Sequence, residues 1–69
     1  MKWIKTKKQL PKNDNFVLAY VYNPANKIDS FEIAYYDADD KYWFNNNHIP
    51  IDDYGFFVLY WQKLPNKPK

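Results

Sequence analysis

The chain of 69 residues has no cysteine and no arginine, and it contains a single glycine. Without cysteine it can form neither a disulfide nor a thiolate metal site, and nothing in the composition indicates an oxidising compartment. Without arginine it lacks the side chain that most often recognises phosphates and bases through paired hydrogen bonds. These absences exclude a disulfide-stabilised scaffold and weaken the interpretation of the chain as a nucleic-acid-binding protein.

Side chains suited to catalysis are equally scarce. The only serine is Ser30, the only threonine is Thr6 and the only histidine is His48. Nucleophilic catalysis needs a nucleophile, a base and an orienting group in one contact set, but Ser30 opens a predicted strand and His48 lies in a distant loop. The acids within residues 37–40 lack the glycine and the closing glutamate of a calcium-binding loop, and they are typical of turns. We therefore expect no enzyme activity, no metal and no cofactor.

Long apolar runs are also missing. No segment approaches the roughly 20 residues that a membrane-spanning helix needs, and the basic start of the chain is not followed by the apolar segment of a signal peptide. We expect a cytoplasmic protein that does not enter a membrane. The net charge is only +2, with lysines at both ends and most of the acids between Asp29 and Asp53. We interpret the lysine-rich ends mainly as solvated surface.

The sequence is rich in aromatic residues, which make up 22% of the chain. A domain this small buries a modest share of its surface, so a few large rings are an efficient way to build its core. Association with further copies is the other available reinforcement, and we expect a homo-oligomer, a dimer or a higher symmetric assembly.

Four runs of β-branched and aromatic residues predict strands, and polar loops separate them. Because the loops are short, they favour consecutive antiparallel pairs over parallel crossovers. We predict a single all-β domain over residues 1–69, a small four-stranded antiparallel meander with extended N- and C-terminal arms at 1–13 and 62–69. The predicted strands are 16–22, 30–36, 42–44 and 56–61.

Placing the first loop around Asn26 and the second around Asp39 predicts the register of the strands, and alternation then divides the side chains between two faces. The predicted core face holds Val17, Ala19, Val21, Phe31, Ile33, Tyr35 and Trp43. The other face holds Leu18, Tyr20, Tyr22, Glu32, Ala34, Tyr36, Tyr42 and Phe44. The second face is too aromatic for an ordinary wet surface, so we expect the terminal arms, a second copy or a ligand to cover it.

This second face is the predicted binding surface, since tyrosine combines contact area with a hydroxyl group and is enriched at interfaces. Lysines of the N-terminal arm are candidates for contacts with an anion. The candidate binding residues are Tyr20, Tyr22, Tyr36, Tyr42 and Phe44, and the candidate anion contacts are Lys5, Lys7 and Lys8.

The two ends and two central phrases carry a family pattern. The ends are Trp3-Ile4-Lys5-Thr6 with Leu10-Pro11, and Tyr60-Trp61-Gln62-Lys63-Leu64-Pro65 with Pro68; the central phrases are Val17-Leu18-Ala19 and Ile33-Ala34-Tyr35-Tyr36-Asp37. Together they resemble domain-of-unknown-function family 551, short proteins and C-terminal modules common in phages and prophages. Members often carry Thr-His before the closing Trp, where this chain has Leu59-Tyr60, so no role of that histidine carries over. The resemblance implies a phage or mobile-element origin and no biochemical activity.

The predicted function is therefore that of a small non-catalytic accessory protein, phage-derived, which binds a host protein or a small anionic ligand and so inhibits or sequesters it. The alternative is a single-stranded nucleic-acid-binding module, because exposed aromatics on a sheet flanked by lysine are the arrangement on which bases stack. Missing arginine and the central acids count against that alternative.

Overall fold

The computed structural model describes residues 2–65, which form one five-stranded antiparallel sheet and a short 3₁₀ helix. The far end of the predicted C-terminal arm, with Pro68, lies outside the described residues. In chain order the elements are β1 (Ile4–Lys5), β2 (Val17–Asn23), β3 (Ile28–Asp37), β4 (Tyr42–Asn45), the 3₁₀ helix (Ile51–Tyr54) and β5 (Phe57–Lys63).

The all-β antiparallel class predicted from the sequence is confirmed, with one more strand than the four expected. The strands lie in the order β1-β5-β2-β3-β4, so β5 pairs with β2 and does not continue the meander beside β4. Strands β2, β3 and β4 are consecutive hairpins and β5 returns beside β2, which is the Greek-key connection. The extra strand, β1, belongs to the predicted N-terminal arm.

Both hairpin loops contain four residues, and this length determines the register. Asn23 pairs with Ile28 across the first loop, and Asp37 pairs with Tyr42 across the second. In the first loop the Asn23 Oδ1 atom accepts hydrogen bonds from the backbone N–H groups two and three residues later, at 3.0 and 3.3 Å. The Asp37 Oδ1 atom does the same in the second loop, at 3.0 and 3.2 Å. A side chain that caps its own loop in this way stabilises a tight turn.

The last residue of each loop is a lysine in the left-handed region, with φ of 56° at Lys27 and 59° at Lys41. The predicted register assumed loops with a central residue, and it is wrong by one position in each hairpin. Tyr20 is opposite Phe31, and Val21 is opposite Ser30 instead of Phe31. Because side chains alternate between faces, a shift of one residue moves the whole set of β3 side chains to the other face.

The face assignment of β3 is therefore corrected, whereas those of β2 and β4 stand. Phe31, Ile33 and Tyr35 lie on the face of Tyr20, and Glu32, Ala34 and Tyr36 lie on the face of Ala19. The two shifts compensate at β4, since Tyr36 is opposite Trp43 and Tyr35 is opposite Phe44. We call the side of Ala19 the covered face. We call the other side the aromatic face, which comprises Leu18, Tyr20, Tyr22, Asp29, Phe31, Ile33, Tyr35, Tyr42, Phe44, Phe57 and Tyr60.

The centre of the covered face is built from small side chains, and the segment between β4 and β5 packs on them. Ala19, Val21 and Ala34 are buried together with Ile51 of the 3₁₀ helix, and partly buried Trp43, Phe56 and Val58 surround this cluster. The segment that carries Ile51 thus crosses the covered face, which is how the chain returns from β4 to the far side of β2.

The N-terminal arm covers a further part of the covered face, around Trp61. Ile4 pairs with Trp61, and the Thr6 N–H group donates a hydrogen bond of 3.1 Å to the carbonyl of Leu59. Trp61 is buried, and its Nε1 atom donates a hydrogen bond of 2.9 Å to the carbonyl of Gln9. The arm is thereby held over Trp61, on the side opposite to the aromatic face.

Candidate binding face

The aromatic face has a central row of three rings on adjacent strands. Tyr60 of β5, Tyr20 of β2 and Phe31 of β3 lie directly opposite one another in the register. The Tyr20 ring centroid lies 6.2 Å from that of Tyr60 and 5.6 Å from that of Phe31. The Trp3 ring from the arm stacks on Phe31 at 5.9 Å with an interplanar angle of 21°. These four side chains line an open groove of about 270 Å³.

A second group of rings extends the aromatic face towards β4. The Tyr35 ring stacks on Phe44 at 5.3 Å, and the Phe16 ring meets Tyr35 edge-on at 5.4 Å. The Tyr35 hydroxyl lies 2.8 Å from Nδ1 of His48. His48 is held in the left-handed region, with φ of 62°, in a turn that the Asn45 side chain caps. The turn after β4 therefore presents its histidine to the aromatic face.

The aromatic face is largely open to solvent. The exposed fraction of the side chain is 60% at Phe31, 49% at Tyr42 and 39% at Trp3. Single exposed apolar residues are ordinary, whereas a contiguous group of large exposed rings marks an interaction surface. Of the arm, Trp3 reaches this face, while Gln9 lies against Trp61 on the other. Within residues 2–13, the arm therefore places one aromatic ring, that of Trp3, on this face.

The groove has an acidic edge at Asp29. The Tyr20 hydroxyl donates a hydrogen bond of 2.6 Å to the Asp29 carboxylate. This hydrogen bond, more than desolvation or the nearby negative charge, raises the pKa of Tyr20 above its ordinary value. The neutral phenol is favoured because a phenolate could not donate to the carboxylate and would be repelled by it.

The opposite edge of the groove is basic. Lys5 is paired with Tyr60 in the register, so both side chains project from the same side of the sheet. Lys5, Thr6 and Lys7 line a second open depression of about 540 Å³, of which Tyr60 forms a wall. Lys8 belongs to the same turn, where its N–H group donates a hydrogen bond of 2.9 Å to the Lys5 carbonyl. The Thr6 Oγ1 atom is buried there without a hydrogen-bond partner.

Most of the predicted binding residues lie together, but one does not. Tyr20, Tyr22, Tyr42 and Phe44 share the aromatic face, whereas Tyr36 lies on the covered face, where its ring packs against Trp43 at 5.3 Å. The predicted placement of Tyr36 is wrong because β3 is shifted by one residue. Sequence reasoning missed three members of the groove, namely Trp3, Phe31 and Tyr60.

The signal for one of these missed residues, Phe31, was present in the sequence. Asn23 and Asp37 each open a loop that their side chains can cap, which favours four-residue loops and puts Phe31 beside Tyr20. Tyr60 follows from pairing β5 with β2, which depends on contacts between distant parts of the chain. Trp3 reaches the face through the arm, and its position cannot be read from strand alternation.

Comparisons with protein-family models, with curated proteins and with solved structures gave no match to this chain. The resemblance to domain-of-unknown-function family 551 therefore stays a prediction from the sequence motifs. Within residues 2–65, no helix is long and apolar enough to cross a membrane.

Proposed function

We propose that this protein is a small non-catalytic binding protein that uses its aromatic face to bind a host protein or a small anionic ligand. A phage origin and action in the host cytoplasm, as an inhibitor or a sequestering protein, belong to the same proposal. The observation that carries it is the open aromatic face, on which Phe31 is 60% exposed, while the centre of the opposite face is covered by the chain itself.

A non-catalytic role is supported by the positions of the few side chains with nucleophilic or basic chemistry. The Ser30 hydroxyl donates to the carbonyl of Phe31 at 3.4 Å, and His48 contacts the Tyr35 hydroxyl. The Thr6 hydroxyl is buried on the arm. Ser30 and His48 are thus engaged in separate local contacts and, within residues 2–65, the Thr6 hydroxyl has no hydrogen-bond partner, whereas a nucleophile and its base must share one contact.

The small anionic ligand is supported by the rings of the groove and by its basic edge. Rings of Trp3, Tyr20 and Tyr60 offer stacking surface for a planar group. Lys5 lies beside Tyr60, and Lys7 lines the adjacent depression, so ammonium groups are available to an anionic substituent. This arrangement favours a ligand with a flat apolar part and a negative charge at one end.

Self-association through the aromatic face is part of the proposal. Two copies related by a two-fold axis would bury the exposed rings of both with one surface. Light scattering over a hundredfold dilution tests it, and a dimer mass at high concentration that falls with dilution is expected. A monomer mass throughout would remove self-association from the proposal.

A single-stranded nucleic acid is the second candidate, and the row Tyr60–Tyr20–Phe31 is the observation that favours it. Rings on adjacent strands can stack on successive bases. Salt distinguishes the two candidates, because a nucleic-acid complex weakens steeply as counterions are added. A gel shift with short oligonucleotides that disappears at moderate salt would favour this second candidate.

A matched pair of tyrosine variants tests the binding face. Tyr42 is 49% exposed on the aromatic face, and Tyr54 is 65% exposed on the 3₁₀ helix. The tagged protein is used to capture its partner from the natural host, and proteins and small molecules are identified by mass spectrometry. We expect the Tyr42→Ser variant to lose the captured partner and the Tyr54→Ser variant to keep it. Equal capture by both variants would contradict the use of the aromatic face.

A further inference from the structure

Strand β3 has an unpaired edge over residues 28–33. One side of β3 pairs with β2 along this stretch, but β4 pairs with the other side only from Ala34 to Asp37. Among residues 2–65, no strand pairs with the outer side of 28–33. All six residues are exposed, and Ile28, Phe31 and Ile33 are 51%, 60% and 37% exposed. This edge offers backbone donors and acceptors together with large apolar side chains.

Natural proteins usually protect such an edge with lysine, proline, a bulge or a covering loop. The β3 edge instead carries two acids, Asp29 and Glu32, on opposite sides of the strand. Two copies paired through this edge by a two-fold axis would be antiparallel, and residues directly opposite each other would lie on the same face. Asp29 would then be opposite Phe31 or Ile33, and Glu32 would be opposite Ile28 or Ser30. Self-pairing therefore gives neither acid an opposite charge, whereas a basic strand can give one to both.

We infer that the β3 edge binds an extended basic segment of another protein, which adds a sixth strand to the sheet. Main-chain hydrogen bonds provide affinity in this mode, and alternate side chains provide specificity. Asp29 and Glu32 are three residues apart, so the added strand would carry lysine or arginine at two positions three residues apart. An apolar residue between them would meet Phe31 on the aromatic face. This inference shares Phe31 with the aromatic-face proposal but does not depend on Tyr42, which lies opposite Asp37 at the far end of β3.

The first experiment selects binders to the full chain from a displayed library of random linear peptides. We expect the selected peptides to be enriched in lysine or arginine three positions apart, with an apolar residue between them. A library that yields no binder, or binders without this basic spacing, would overturn the inference.

The second experiment tests main-chain pairing with the strongest selected peptide. Alternate residues of an edge strand direct their N–H groups to opposite sides, so two synthetic forms are made, each N-methylated at one alternate set. We expect one form to lose about tenfold or more in affinity and the other to bind nearly as before, since each hydrogen bond contributes a few-fold. Equal effects of the two forms would overturn the strand pairing.

Charge variants locate the site on the molecule. We expect Glu32→Lys to weaken the affinity for the peptide several-fold. Asp53 is an exposed acid of the 3₁₀ helix, so Asp53→Lys is the matched control. It should change the affinity by less than about twofold. Tyr42→Ser should leave the peptide bound even if it abolishes capture through the aromatic face. Loss of peptide binding in Tyr42→Ser but not in Glu32→Lys would assign the peptide to the aromatic face and contradict the edge.

Discussion

The two faces of the sheet are formed by the same strands, but their side chains are packed in different ways. The covered face has alanine and valine at its centre, and these small side chains leave room for Ile51 and for the ring of Trp61 to pack. On the aromatic face, large rings meet one another sideways, as in the Tyr35–Phe44 stack at 5.3 Å. Contact between neighbouring rings fills that face without a second layer. Small residues at the centre therefore mark the face that the chain covers, and large ones mark the face that it leaves exposed.

The largest effect is expected at Trp61, which ties the arm to the covered face. Trp61→Ala removes a buried ring and the hydrogen bond from Nε1 to the Gln9 carbonyl. We expect a loss of about 3–5 kcal/mol in the free energy of unfolding, enough to unfold most molecules of a domain this small. Trp61→Phe keeps most of the buried area and should cost about 1–2 kcal/mol. Urea denaturation followed by circular dichroism measures both, and a silent Trp61→Ala would show that the arm does not stabilise the sheet.

The same substitution on the two faces gives the next largest contrast. Ile51 is 6% exposed on the covered face, and Ile33 is 37% exposed on the aromatic face. We expect Ile51→Ala to cost about 2–4 kcal/mol and Ile33→Ala about 1 kcal/mol or less, because a partly exposed site loses less burial and leaves no closed cavity. The predicted register placed Ile33 in the core, so a larger cost at Ile33 than at Ile51 would restore that assignment.

A smaller contrast concerns the two loop caps. Asn23 is buried, and besides capping its loop its Nδ2 atom donates a hydrogen bond of 3.1 Å to the Tyr54 carbonyl. Asp37 caps an exposed loop alone. We expect Asn23→Ala to cost about 1–3 kcal/mol and Asp37→Ala about 0.5–1 kcal/mol, because the first leaves buried groups unpaired. Thermal melting of both variants measures the difference, and equal costs would mean that the bond to Tyr54 adds nothing.

Gly55 supports this interpretation of Asn23. It lies in the left-handed region with φ of 82°, and a Cβ atom there would come within 3.3 Å of the Asn23 Nδ2 atom. The single glycine of the sequence is thus at the point where the 3₁₀ helix ends and the chain passes close to the first loop. Both the backbone conformation and the close approach favour a residue without a side chain at this position.

Much of the fold can be predicted from the sequence, since strands β2, β3 and β5 are long runs of β-branched and aromatic residues. The register is harder to predict, because a loop of four residues and a loop of five differ only in how the ends of the flanking strands pair, and only the capping side chains Asn23 and Asp37 favour the shorter loop. The return of β5 to β2 depends on Ile51 packing over Ala19 and Val21, a contact between distant parts of the chain. Alternation alone cannot reveal it. Most of the candidate face was predicted because the assignments of β2 and β4 to the two faces are correct. The shifted register of β3 is the reason that Tyr36 was assigned wrongly and Phe31 was missed.

The smallest expected effect is a change in the titration of Tyr20. The hydrogen bond to Asp29 raises the pKa of Tyr20 above its ordinary value of 10.0. A raised pKa in the folded state means that this contribution to stability is present below pH 10 and is lost as the pH rises through the raised pKa. We expect Asp29→Asn to lower the pKa of Tyr20, seen as tyrosinate absorbance that appears at lower pH. Tyr20→Phe should remove that phase, and a titration curve unchanged by Asp29→Asn would contradict the contact.

The exposure of adjacent β3 residues tests the assignment of the two faces most directly. Because the protein has no cysteine, each single-cysteine variant carries one thiol, and its reactivity reports on that position alone. In single variants Ile33→Cys and Ala34→Cys, the rate of reaction with a thiol reagent is compared under native conditions and in denaturant. Ile33 is 37% exposed and Ala34 is 0% exposed. We predict that the thiol of Ile33→Cys reacts in the folded protein at nearly its rate in denaturant, while that of Ala34→Cys is protected until unfolding. Protection at position 33 with rapid reaction at position 34 would show that the faces are reversed.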